Sequence, residues 1–157
     1  MAGTRSSAPA RSSSVADTPA SADAADPLAA VPAPSPSALP RRVDKPWGHE
    51  LIWAHTDRYV GKILQLETGK RLSFQYHEVK DEWIYVLSGR LLLTLENDDG
   101  VVEELELGPG AGAHVGTRRR HRYTAIETCR LIEVSTPELL DVVRIEDDFG
   151  REGTFAP

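Results

Sequence analysis

Gln75, His77 and Glu82 place an amide oxygen, an imidazole and a carboxylate within one short stretch of a 157-residue chain. Side chains two apart on a strand face the same way, so Gln75 and His77 point together. Glu82 lies five residues beyond His77, the wrong parity for one continuous strand. A tight charged turn through Glu78 to Asp81 corrects this by carrying Glu82 back beside them on a second strand, which is expected to close at a glycine turn, Gly89. Donors of these three kinds, converging from adjacent strands, suit a divalent metal ion.

The run from Gly69 to Gly89 resembles the first motif of the cupin superfamily, written Gly, five residues, His-x-His, three or four residues, Glu, six residues, Gly. Here six residues separate Glu82 from Gly89, and seven separate Gly69 from His77. The resemblance is closer to one branch, the type II phosphomannose isomerases, which include the C-terminal domain of the bifunctional mannose-1-phosphate guanylyltransferases. Their Leu-Ser-x-Gln-x-His-x-His run is answered by Leu72, Ser73, Gln75 and His77, with Val79 in the place of the second histidine. Lys45-Pro46-Trp47-Gly48 resembles the entry of that domain, and Asp141 to Arg151 its closing run, so the likeness covers about residues 43–151. The second cupin motif, Gly, five residues, Pro-x-Gly-x-x-His, is degraded. With His121 in register, Gly116 stands where proline is usual and Arg118 where glycine is usual.

The resemblance implies a metal site built from Gln75, His77, Glu82 and His121, with zinc the expected ion and iron, manganese or nickel as alternatives. It also implies interconversion of an aldose phosphate and a ketose phosphate, of the mannose 6-phosphate and fructose 6-phosphate type, through an enediol. A divalent ion assists that chemistry by polarising the carbonyl and stabilising the developing oxyanion. Glu82 and Lys62 are the candidate catalytic residues, Lys62 because it shares a strand face with Leu64 and Leu66 and so faces the pocket. The substrate contacts are assigned to Lys80, Arg119, Tyr123, Arg144 and Arg151. Arginine forks suit phosphate oxygens, whereas lysine serves as a point charge. Two other readings stand beside the isomerase. His77, Glu82 and His121 alone make the two-histidine, one-carboxylate set of a non-haem iron oxygenase, and Val79 with the degraded second motif fits a binding module without catalysis. His49, His55 and His114 read as surface or rim residues, and Trp47, Trp53 and Trp83 as packing aromatics.

The elements that must hold this set are strands. From Arg41 onward short strand-like segments alternate with turn signals, at roughly 49–54, 60–67, 72–77, 82–87, 90–96, 101–107, 112–115, 121–126 and 129–134. Asn97-Asp98-Asp99-Gly100 is a strong hairpin turn, and Pro137 to Leu140 either starts a short helix or turns the chain. The expected fold is all-β, the double-stranded β-helix or jelly-roll barrel of cupins, over residues 41–157. Residues 1–40 contain 12 Ala, 8 Ser and 7 Pro, too little apolar surface to offset the entropy of ordering, and read as a disordered tail. No apolar run suggests secretion or membrane insertion, and the single Cys129 excludes an internal disulfide, so a cytoplasmic protein is expected. The net charge is −6, of which residues 1–40 carry −1, and this acidic domain argues against nucleic acid as a partner. The expected partner is a small molecule, with homodimerisation left open.

Overall fold

The computed structural model of the chain describes Gly3 and residues 39–153. Apart from Gly3, Leu39 and Pro40, the expected tail lies outside that description. All regular elements among the described residues are strands: β1 (Arg41–Lys45), β2 (Gly48–His55), β3 (Val60–Leu66), β4 (Phe74–Tyr76), β5 (Glu82–Glu96), β6 (Val102–Leu107), β7 (Gly112–Val115), β8 (His121–Ser135) and β9 (Val143–Glu146). No helix among them is long and apolar enough to cross a membrane.

Every pairing is antiparallel, and the nine strands form one curled sheet. The two long strands close it. β5 runs against β8 from Glu82 opposite Ser135 to Leu95 opposite His121, while β8 also pairs with β3 and β4. Such a sheet buries one face, and the alternation shows it: Glu82, Ile84 and Val86 point inward on β5 while Trp83, Tyr85 and Leu87 point out. Leu64, Leu66, Leu91, Leu93 and Leu131 fill the core. Cys129 lies in the same core, where burial pushes its thiol up to about 11, so it packs as a structural residue.

Several boundaries differ from expectation. Segments 82–87 and 90–96 are one strand, as are 121–126 and 129–134. The expected turn at Gly89 is instead an irregularity within β5, where the register with β8 shifts between Ser88 and Arg90. Gly89 has φ 79°, and a Cβ there would sit 2.1 Å from the carbonyl oxygen of Thr128. Glycine bends the strand without ending it. β1 and β9 are short, charged pieces that carried no strand signal in the sequence. Residues 137–140 turn without forming a helix. Trp47 enters the core, whereas Trp53 and Trp83 lie exposed on the outer face, Trp53 over Gly61 and Trp83 stacked on His114 across the β5–β7 pair.

Candidate metal centre

Strand starts and ends converge on one point. His77 follows the last residue of β4, Glu82 opens β5, and His121 opens β8 with Gln75 of β4 as its partner on one side and Leu95 of β5 on the other. The turn between His77 and Glu82 is pinned from a distance. The Asp141 carboxylate accepts the backbone N–H groups of Glu78, Val79 and Lys80 at 3.0, 2.7 and 2.8 Å. Three amide donors hold that carboxyl below the usual range, although burial alone would raise it. Val79, which stands at the second histidine position of the motif that the sequence resembles, is exposed on this turn and supplies no donor to the site.

The histidines are oriented by their outer nitrogens. His77 Nδ1 bonds the Asp141 carbonyl, and His121 Nδ1 lies 2.9 Å from the Arg119 carbonyl. A carbonyl only accepts, so each Nδ1 carries the proton and each Nε2 presents its lone pair inward. Both Nε2 atoms are buried and have no hydrogen-bond partner among the described residues. They lie 3.8 and 3.5 Å from the two oxygens of Glu82, with the imidazole rings 5.2 Å apart. Donor atoms from His77, Glu82 and His121 all fall within 4.8 Å of one another, and the three residues are 1%, 2% and 1% exposed.

The protonation states fit a metal ligand set. Burial, reinforced by the Lys80 charge, brings His77 down to about 3, and burial lowers His121 as well. Both imidazoles are therefore neutral. For Glu82 burial opposes ionisation, but the Lys80 ammonium together with His77 and His121 holds the carboxyl well below its ordinary value. Two buried lone pairs facing an ionised carboxylate form a group that could hold a metal ion.

The cluster opens into a cavity of about 280 Å³. His77, Glu82, Gln75 and Tyr123 line it, while His121 is fully buried behind them. The Oε1 of Gln75 accepts from Ser73 at 2.5 Å, and the Tyr123 hydroxyl donates to Glu82 at 2.7 Å. The remaining wall alternates in charge. Lys45 lies 3.4 Å from Glu50, Glu50 3.4 Å from Lys62, Lys62 3.3 Å from Glu133 and Glu133 2.8 Å from Lys80. Arg41, Arg144 and Arg151 add to the cations, so the lining carries more positive than negative side chains in a chain of net charge −6. Burial lowers Lys45, and the neighbouring Lys62 and Arg151 lower it further; Arg144 is lowered by burial and by Arg151. An anion in the cavity would relieve that repulsion.

Of the residues chosen from sequence, Lys62, Lys80, Tyr123, Arg144 and Arg151 all line the cavity. Lys80 and Arg151 differ in their bonding: Glu82 and Glu133 share the Lys80 ammonium, and Asp147 takes the Arg151 guanidinium fork, where phosphate contacts were expected. Arg119 is a correction. Arg118 has φ 60°, and this bend sends the arginine run outward. Arg119 consequently bonds the Glu96 carbonyl at 2.9 Å and pairs with Asp98, away from the cavity, while Arg118 pairs with Glu78 and Arg120 with Glu96. His114 is exposed and bonded to Asp81, but His55 is buried at the end of β2, against the expectation of a surface residue. Glu50 and Glu133 were missed, though each shares the inward parity of a buried aliphatic neighbour, Ile52 and Leu131. A carboxylate at such a position was the available signal.

Residues 62–135 match the family model described as a cupin domain. No curated protein sequence matches the chain. Among solved structures, KdgF from Halomonas sp. is similar with a TM-score of 0.55 and 24% identity, covering 62% of this chain and 87% of that one. Oxalate decarboxylase OxdC of Bacillus subtilis, as its S161A mutant, has a TM-score of 0.58 and 18% identity over 67% of this chain and 30% of that one. The capsular polysaccharide assembling protein CapF of Staphylococcus aureus has a TM-score of 0.57 and 14% identity over 68% of this chain and 34% of that one. The chain thus spans about a third of the latter two, and what it shares with all three is the fold.

Proposed function

Taking the chain as a cupin jelly roll, we propose that it is a metal-dependent enzyme acting on a small anionic sugar, with aldose phosphate to ketose phosphate isomerisation as its reaction. The observation that carries this reading is the meeting, at one cavity, of the His77–Glu82–His121 cluster with a wall of cations. His77, Glu82 and His121 would hold one divalent ion, with Gln75 assisting, and an N/O set with one carboxylate suits zinc. Bound there, the ion would polarise the sugar carbonyl.

The chain's own groups supply the rest. Lys45 and Arg144 receive the phosphate dianion, with Arg151 beside them held in place by the Asp147 carboxylate at 2.9 and 2.7 Å. Lys62, fixed between Glu50 and Glu133 at 3.4 and 3.3 Å, faces the cavity; after passing one proton to a neighbouring carboxylate, its amine takes the proton from one carbon and returns it to the next. Tyr123 keeps its own proton, since burial and the Glu82 charge push the phenol well above its ordinary value, and so serves to fix the Glu82 carboxylate. The mannose 6-phosphate and fructose 6-phosphate pair is the proposed substrate couple, and the cytoplasm the proposed compartment.

One observation favours a second reading. Val79 is exposed, so among the described residues two imidazoles and one carboxylate converge, and this set is also that of a non-haem iron oxygenase. A binding cupin without catalysis is the remaining alternative. Incubating the zinc-loaded protein with mannose 6-phosphate in deuterated water tests the isomerase. Fructose 6-phosphate with deuterium at the transferred position supports it, whereas no conversion across a panel of sugar phosphates, with oxygen uptake by the iron-loaded protein, turns the assignment to the oxygenase.

A further inference from the structure

The three candidate ligands are not equally ready for an ion. His77 and His121 each present an Nε2 with no partner. Glu82 has both oxygens engaged, Oε1 by the Tyr123 hydroxyl at 2.7 Å and Oε2 by the Lys80 ammonium. Lys80 is 4% exposed, and its Nζ also lies 2.8 Å from Glu133 Oε1. One buried ammonium therefore bridges two carboxylates, only one of which belongs to the cluster. A divalent ion entering among His77, Glu82 and His121 meets that ammonium at the same oxygen, and two cations about one buried carboxylate repel strongly in a low dielectric. Glu133 offers Lys80 a place to withdraw to without losing its last charged partner.

We propose that Lys80 is the resident counter-cation of the metal-free site: it holds the Glu82 oxygen that a divalent ion takes over, and metal entry transfers its ammonium to Glu133. The inference rests on His77, Glu82 and His121 being metal ligands. Lys80 then has two effects. It compensates the buried Glu82 charge when no ion is bound, so folding does not depend on the metal. It also competes for the ligand, which lowers affinity and makes the ion exchangeable. Glu133 acts as a positioning residue by keeping the displaced ammonium bonded.

Titration calorimetry of the chelator-stripped full chain with Zn²⁺ tests this. Lys80→Met is expected to bind zinc at least tenfold more tightly than the wild type, and its melting temperature to rise more on zinc binding. Glu133→Gln, which leaves the ammonium only Glu82 as a charged partner, is expected to bind zinc several-fold more weakly. Equal or weaker binding by Lys80→Met, with a circular dichroism spectrum like the wild type, overturns the competition. If stripped Lys80→Met does not fold, Glu133→Gln decides, and zinc affinity equal to or above the wild type overturns the proposal. Zinc uptake by neither the wild type nor the variants would overturn the metal reading and this inference together; uptake by the wild type with unaltered affinity in both variants would overturn this inference alone.

Discussion

Asp141→Asn removes a charge from the position that fixes the turn between His77 and Glu82 and leaves the side chain nearly the same shape. In the native protein the carboxylate accepts N–H groups from Glu78 at one oxygen and from Val79 and Lys80 at the other. Hydrogen bonds to a charged group contribute about 1.5–3 kcal/mol each and neutral ones about 1 kcal/mol. An amide keeps one acceptor oxygen and turns an NH₂ toward the remaining amide donors, so the loss works out at roughly 2–4 kcal/mol. Urea denaturation should show it as a lower midpoint at unchanged slope. The pH dependence has a definite sign. The folded-state carboxyl is held below the ordinary value of 3.8, so its contribution is present above that pH and is lost as pH falls through the folded value. Wild type and Asp141→Asn should accordingly converge in strong acid. The Asp141 carbonyl also orients His77, and a loosened ring should weaken metal binding by about 10–100-fold. A variant within about 0.5 kcal/mol of the wild type at neutral pH, the spread of an ordinary surface substitution, would refute the pinning argument.

Gly89→Ala should destabilise the fold by at least about 1–3 kcal/mol, because φ is 79° and the added carbon meets the Thr128 carbonyl; an unchanged melting temperature would contradict the bend within β5. Arg144→Ala should raise the KM for a sugar phosphate about 10–100-fold, the loss of charged hydrogen bonds, with kcat little changed. Arg119→Ala should leave KM alone, since its guanidinium pairs with Asp98 outside the cavity. Steady-state kinetics of the two variants side by side checks both statements, and a larger effect from Arg119 would reverse the assignment.

What could be read from the sequence was local. Gln75, His77 and Glu82 lie close in the chain, and strand parity with a turn is enough to bring them together; His121 entered through a motif register and opens the strand beside Gln75. The wall opposite could not be read in the same way. Glu133 reaches Lys80 across 53 positions, and Asp141 reaches Val79 across 62. Pairings at such separations follow from how β8 and the segment after it fold back, which no single strand announces. Arg119 failed for a related reason: three consecutive arginines before His121 suggested a cationic mouth, but Arg118 stands at positive φ and pairs with Glu78, while Arg119 and Arg120 bond the β5–β6 hairpin. Gly89 carried a turn signal that was real as a conformational demand and misleading as a boundary, since glycine serves a strand bend as well as a hairpin. Lys62, by contrast, was legible because parity with Leu64 and Leu66 is a property of β3 alone, whose burial pattern keeps all of them inside.

Metal stoichiometry tests the central claim most directly. Chains stripped with chelator, reloaded with zinc, desalted and analysed for metal should carry one ion per wild-type chain and close to none in His77→Ala and His121→Ala, with the circular dichroism of all three alike. The prediction follows from the two buried Nε2 atoms that face Glu82 without partners. Zinc retained at one per chain in both histidine variants, or absent from the wild type, would contradict the account.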